Sequence, residues 1–185
     1  MLLLITGLSL FFGTHLLREF GFREGLLLRL GASRYRILYS LVALTGLALV
    51  VAGKAGSAFV MVWQPSYELR FVTHFFMLPA SILVVAGNLP TSYLRKHLRH
   101  PMLLGTMLWG ASHLWANGDL ASMLLFGSFT VWALIKFISL NAAAQPVTKT
   151  ASFTWDVFAV IIGFTLYALI TIYHGQLFGI GLSFE

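Results

Sequence analysis

The residues able to do chemistry in this chain are few, and histidine leads them. Six histidines stand among 185 residues that include no cysteine. Thiolate zinc sites, iron–sulfur clusters, disulfides and covalently attached c-type haem are thereby excluded. His15 lies in the run Phe11-Phe12-Gly13-Thr14-His15-Leu16-Leu17-Arg18, and His113 in Trp109-Gly110-Ala111-Ser112-His113-Leu114-Trp115. Both sit within apolar stretches. His74 and His174 stand near the ends of two others, and His97 and His100 fall in or beside a basic connection with Arg95, Lys96 and Arg99. With only six carboxylates, a non-haem metal site is poor in ligands. Two imidazoles on facing helices instead meet the usual requirement of a non-covalent b-type haem, whose macrocycle needs a mostly apolar slot. A proton relay through histidines is the competing use. The aromatic share of 15% suits a porphyrin slot, interfacial belts and ordinary packing equally.

The elements that must position these groups are set by composition. Hydrophobic residues make up 58% of the chain and charged residues only 10%. A water-soluble domain carries about a quarter charged residues on its wet surface. Lipid must therefore cover this one. A soluble enzyme, a disordered chain and a nucleic-acid-binding domain are excluded, and no nucleic-acid partner is expected. Unbroken apolar runs without strand-like alternation argue for helices rather than a β-barrel. Six stretches predict spans at Met1 to Leu17, Ile37 to Gly53, Phe71 to Asn88, Pro101 to Ala116, Asp119 to Leu140 and Thr154 to Ile180. The expected fold is an all-α polytopic membrane bundle of about six transmembrane helices, forming a single domain over 1–185. The first span lacks a basic leader and a small-residue cleavage pattern, so it reads as a retained helix.

Lysine and arginine set the orientation. Arg18, Arg23, Arg29, Arg34 and Arg36 fall in the first connection, Arg95, Lys96 and Arg99 in the third, and Lys136 and Lys149 flank the fifth. Only Lys54 and Arg70 lie on the opposite side. The odd connections are expected in the cytoplasm and both termini in the periplasm. The net charge of +6 then reflects membrane orientation and contact with anionic lipid headgroups. Asn117-Gly118 is expected to end span four with a left-handed residue, and Asp119 to cap span five, making a hairpin of neighbours. The polar stretch Asn141 to Thr150, with Pro146, reads as a short connector.

On span four, Gly105, Trp109, His113 and Asn117 recur every four residues and share one face. Small Gly105 beside large Trp109 suits close helix packing or a flat ligand edge. His74, His97 and His174 lie near predicted membrane boundaries, where a histidine simply meets water. Pro101 suits the first position of a helix, so Arg99-His100-Pro101 reads as a helix start. Its functional reading has Arg99 bind an anionic group, such as a propionate.

The stretch Arg99-His100-Pro101-Met102-Leu103-Leu104-Gly105, with Leu108 to Leu114, Ala116 to Ser122 and Leu125 to Phe129, closely resembles the NnrU family. So does the opening segment Gly7 to Arg18, with Phe-x-Gly-x-His-x-x-Arg. The resemblance covers nearly the whole chain. The family includes bacterial membrane proteins associated with denitrification and nitric oxide metabolism, and more distantly the 15-cis-ζ-carotene isomerase. That isomerase branch holds haem b between two histidines, and the matching positions here are His15 and His113. The resemblance thus implies a haem b-binding protein of the bacterial inner membrane. It names Arg99, Trp109 and Arg18 as further cofactor contacts and an apolar polyene or other lipophilic molecule as substrate if an isomerase-like reaction operates. Self-association into an oligomer is left open. The predicted spans set His15 and His113 at different depths, so His74 or His174 is the alternative partner of His113. The second function class is a cofactor-free membrane accessory protein for assembly or regulation of the denitrification machinery. Arg-His-Pro followed by glycine also resembles part of the isoprenylcysteine methyltransferase motif, but the acidic and aromatic second half of that site is missing.

Overall fold

The computed structural model describes residues 1–66, 70–143, 150–179 and 182. Lys149, Pro146, Ile180 and Glu185 lie outside the described residues. The chain is all-α: α1 is Leu2–His15, α2 Phe22–Ala55, α3 Arg70–Asn88, α4 Tyr93–Leu98, α5 Pro101–Ala116, α6 Leu120–Ala142, α7 Phe153–Ile172 and α8 His174–Phe178. Among the described residues, four helices are long and apolar enough to cross a membrane, namely α2, α3, α6 and α7. With 14 and 16 residues, α1 and α5 fall short of the roughly 20 that a full crossing takes.

Two expected boundaries move. The arginine-rich stretch read as the first connection is largely helical, because Leu, Arg and Glu are good helix formers. It adds about four turns to the front of α2, with Arg23, Arg29, Arg34 and Arg36 exposed. Gly31 interrupts that helix with φ 73° and ψ 159°. The last span stops at Ile172, and the short α8 follows at once.

The chain divides into two compact units. The first comprises Met1–Pro65 and Asn117–Trp132. Its core packs α1 against α2 through glycines. A Cβ on Gly53 would lie 2.2 Å from the Leu4 nitrogen, and one on Gly7 2.5 Å from the Val50 nitrogen. Lipid tails are as apolar as leucine, so such close backbone approach, rather than water exclusion, supplies the association energy. Leu4, Leu8, Val50 and Ala121 form the buried centre, with Phe12, Leu124, Leu125 and Phe129 around it.

An extended segment after α2 then pins the start of α6. Val62 and Trp63 donate to the Gly118 carbonyl at 2.7 and 3.2 Å, and Leu120 donates to Val60 at 2.8 Å. Gly118 is not left-handed as expected. Glycine is needed there because a Cβ would sit 1.7 Å from the Trp63 carbonyl oxygen. Asp119 does cap α6, accepting from the Ser122 N–H at 2.9 Å. It also pairs with Lys54 at 3.0 Å, and the same ammonium donates to the Ser122 hydroxyl at 2.8 Å.

The second unit comprises Ser66–Ala116 and Ala133–Glu185, with α3 at its centre. Here α5 takes α3 as a close partner, and its start also lies beside the end of α6. Gly105 approaches Ala80 and Val84 of α3, and Gly87 approaches Met102 of α5, so the two run antiparallel. On the other side Gly163 of α7 approaches Ile82, and the Ser81 hydroxyl donates to the Gly163 carbonyl at 3.0 Å. The buried Asp156 near the start of α7 accepts from the Tyr93 and Leu94 N–H groups, both at 2.9 Å. It thereby places a negative charge at the N-terminus of α4, where the helix leaves its first donors unsatisfied.

Candidate functional site

His15 is the last residue of α1. Its Nδ1 donates to the Phe11 carbonyl, one turn earlier, at 2.7 Å. A carbonyl oxygen only accepts, so the bond assigns the proton to Nδ1 and the lone pair to Nε2. The ring stacks on Phe11 at 4.1 Å and meets Tyr39 at 5.3 Å and the edge of Trp132 at 5.7 Å. Phe12 and Phe129 complete this aromatic wall. The Trp132 indole N–H is buried there with no hydrogen-bond partner among the described residues. A buried donor without an acceptor is rare enough to require an explanation, and an unseen ligand is one. Arg18 lies in the exposed turn just after His15.

His113 repeats the device in the second unit. Its Nδ1 donates to the Trp109 carbonyl at 2.8 Å, and the Trp109 ring lies 5.3 Å away. The shared face of α5 has a divided use. Gly105 serves close packing, since its Cβ would come within 2.6 Å of the Ala80 carbonyl oxygen. Trp109 and His113 lie further along toward the helix end.

That end gathers histidines. The Thr73 hydroxyl donates to the Ser112 carbonyl at 3.1 Å, so the residues next in sequence, His74 and His113, stand at one end of the antiparallel pair. α7 also runs antiparallel to α3, which brings His174 to the same end. His174 is within electrostatic reach of both His74 and His113. Sequence reading named His74 or His174 as the alternative partner of His113, and the fold brings both to its end of α5.

The remaining two histidines sit at the opposite end of α5. His97 is exposed on α4, with its Nδ1 donating to the Tyr93 carbonyl at 2.8 Å. The His100 carbonyl accepts from Leu103 and Leu104 at 3.1 and 3.3 Å, as a residue at a helix start should. Its Nε2 is buried without a partner among the described residues, and its ring stands edge-on to Phe137 at 6.3 Å. Burial, then the charges of Arg99 and Arg95, lowers the His100 pKa. Pro101 is about 18 Å from His113 along the axis of α5. Arg99 precedes Pro101 and therefore stands far from His113.

Among the described residues, no group of three or more histidines and carboxylates is gathered closely enough to hold a bare metal ion. An iron porphyrin, by contrast, asks the protein for two axial donors only. The NnrU protein family model matches residues 3–182. The chain belongs to the NnrU family. No curated protein and no solved structure matches it. Features of this NnrU chain that sequence reading did not find are the Lys54–Asp119–Ser122 network, the unpartnered Trp132 N–H and the Asp156 cap. Asp156 had a visible signal, since a carboxylate inside an apolar helix is costly and needs a partner.

Proposed function

We propose that this NnrU protein is a haem b-binding protein of the bacterial inner membrane, with His113 and His15 as the candidate axial ligands. The observation that carries the reading is the posture of these two side chains. Each is partly buried among aromatic rings, and each gives Nδ1–H to its own backbone carbonyl. Metal-ligating histidines nearly always use their second nitrogen this way, which fixes the ring and directs Nε2 outward. His97 makes the same bond but is exposed on a basic helix, so it serves as the internal control.

When bound, haem supplies a redox-active Lewis-acidic iron. The chain's own contributions are then local. Trp109 and Phe11 hold the two backbone acceptors one turn before each ligand. The Trp132 N–H offers a donor, and Arg18 a cation for a carboxylate. His174 and His74 stand as second candidates to complete the sphere of His113. In this reading α1 and α5 also lie within the bilayer, making six membrane helices with both termini periplasmic. A link to denitrification or nitric oxide metabolism, or an isomerase-like reaction on an apolar polyene, follows from the family resemblance alone.

The test is the visible spectrum of the detergent-purified protein after expression with adequate haem supply. A Soret band with sharp reduced-state bands is expected. His113→Ala and His15→Ala should each convert a low-spin six-coordinate centre to a high-spin one or abolish binding, while His97→Ala leaves it unchanged. Loss in His174→Ala with retention in His15→Ala would move the second ligand into the second unit. Absence of haem from wild-type protein would favour the cofactor-free accessory reading. Independently, a reporter fused after Glu185 should behave as exported, and cytoplasmic activity of it would overturn the proposed orientation.

A further inference from the structure

We infer that the second unit carries a binding site for an anionic diacyl phospholipid, where α4, the start of α5 and the end of α6 meet. The inference is independent of haem. An open groove there has apolar walls from Leu98, Leu104, Phe137 and Ile138, with His97 and Arg99 at its rim. Among the described residues, no acidic side chain lines it. Ile138 is 60% exposed although it is a large aliphatic residue. The groove therefore has the two parts that a phospholipid needs, an apolar trough for an acyl chain and a cationic edge for a phosphate.

The neighbouring charges decide the sign of the headgroup. Arg95 is turned away, donating to the Leu89 carbonyl. Burial and its arginine neighbours disfavour the charged form of His100. Asp156 accepts from the Tyr93 and Leu94 amides, and its charge also reaches His97. Lys96 and Arg99 are both exposed and open to a ligand, with His97 beside them. A phosphate with a neutral alcohol headgroup is attracted by that pair. A choline headgroup brings its own cation against it.

The platform is also rigid. Asp156 and the Ser92 hydroxyl, which accepts from the Arg95 N–H at 3.1 Å, fasten the first turn of α4. At its other end Arg99 adopts φ 58°, an uncommon conformation for a residue with a side chain, and redirects the chain into α5. Basic pockets between membrane helices at the cytoplasmic boundary are a known way of holding anionic headgroups. A small soluble anion would use the rim and leave the apolar walls unused, which is why the occupant is assigned as a lipid.

The experiment uses the full-length protein in detergent, with and without haem, titrated by native mass spectrometry with dioleoyl phosphatidylglycerol or dioleoyl phosphatidylcholine. Phosphatidylglycerol should bind about tenfold more tightly. Lys96→Gln with Arg99→Gln should weaken it by roughly 25-fold, at about fivefold for each basic residue near a headgroup. Arg99→Lys should retain most of the binding, and Ile138→Asp should lose it. Millimolar inorganic phosphate or glycerol 3-phosphate should not displace the lipid. Equal binding of the two lipids, an unchanged double variant, or displacement by phosphate alone would each overturn the proposal. Both charge positions are exposed, and retained helicity by circular dichroism separates loss of binding from loss of fold.

Discussion

The two units solve the same packing problem with the same residue and then fasten their connections differently. In the first, Gly7, Gly46 and Gly53 bring α1 onto α2. In the second, Gly105 and Gly163 bring α5 and α7 onto α3. Each unit then buries one carboxylate as a fastener. Asp119 pairs with a cation and a helix start, whereas Asp156 takes chiefly backbone N–H groups, with the Ser92 hydroxyl beside them. The difference teaches that a membrane fold with few charges can use an acid either as half of an ion pair or as a cap for distant backbone. The second use needs no complementary residue type, so sequence alone gives no partner to look for.

The largest effect should come from filling the glycine contacts. Gly53→Leu would drive a side chain into the Leu4 backbone, and overpacking of this kind costs about 3 kcal/mol or more. Loss of monodisperse protein in detergent is expected, with a comparable result for Gly163→Leu in the second unit. Gly13→Ala is the matched control, since nothing lies within 4 Å of its Cβ position, and it should be close to neutral. A stable Gly53→Leu protein would show that α1 and α2 are not held by backbone approach.

Next should come the fasteners, unequally. Asp156→Ala leaves two N–H groups without their acceptor, at about 2 to 4 kcal/mol. Asp119→Ala leaves Lys54, whose side chain is 29% exposed, partly able to reach water, so about 1 to 2 kcal/mol is expected. Thermal unfolding in detergent ranks the two. The double variant Lys54→Met with Asp119→Leu should recover much of the Asp119 loss, because the uncompensated charge goes with its partner. Failure of that recovery would mean that the cap on Ser122, rather than the ion pair, is what Asp119 contributes.

A smaller, pH-dependent effect tests the ion-paired fastener. Burial raises the Asp119 pKa, but the Ser122 hydrogen bonds and Lys54 outweigh it and hold the carboxyl below its ordinary value. A depressed folded-state pKa contributes stability that is present above the unfolded value, near 4, and is lost as pH falls through the folded one. Wild-type protein should therefore lose thermal stability below about pH 4, with a shallower slope in Asp119→Asn. Identical slopes would assign the acid sensitivity to other carboxylates.

How much of this was legible in the sequence depended on the range of the interaction. Apolar runs and the proline at 101 located most helices, because those signals are local. Asp119 was readable as a cap for the same reason, and its acceptor contact with the Ser122 N–H agrees. Gly118 was misread, since its requirement comes from the Trp63 carbonyl, more than fifty residues earlier. The basic stretch before Ile37 was read as connection because charge was weighed above helix propensity. For the candidate site, the residue types were visible but their surroundings were not. Phe11 and Trp109 could be placed one turn before His15 and His113, whereas Trp132 beside His15 depends on tertiary packing. The gathering of His74 and His174 with His113 likewise follows from two antiparallel pairings that no local pattern encodes.

The interruption at Gly31 bears on how this protein enters a membrane. Its φ and ψ fall in a region open essentially to glycine alone. Beyond it, Ala32 to Ala55 forms a rod of about 36 Å, close to the thickness of a bilayer core with part of its headgroups. Before it, Phe22 to Leu30 carries Arg23, Glu24 and Arg29 exposed and Leu26, Leu27 and Leu30 partly covered. Without the joint, the 34-residue helix would be a straight rod of about 51 Å, overshooting the membrane and carrying its arginines along one line. With it, the leading turns depart from the line of the inserted rod. One glycine thus acts as the ruler mark that ends the inserted length, and any side chain at position 31 would move the mark.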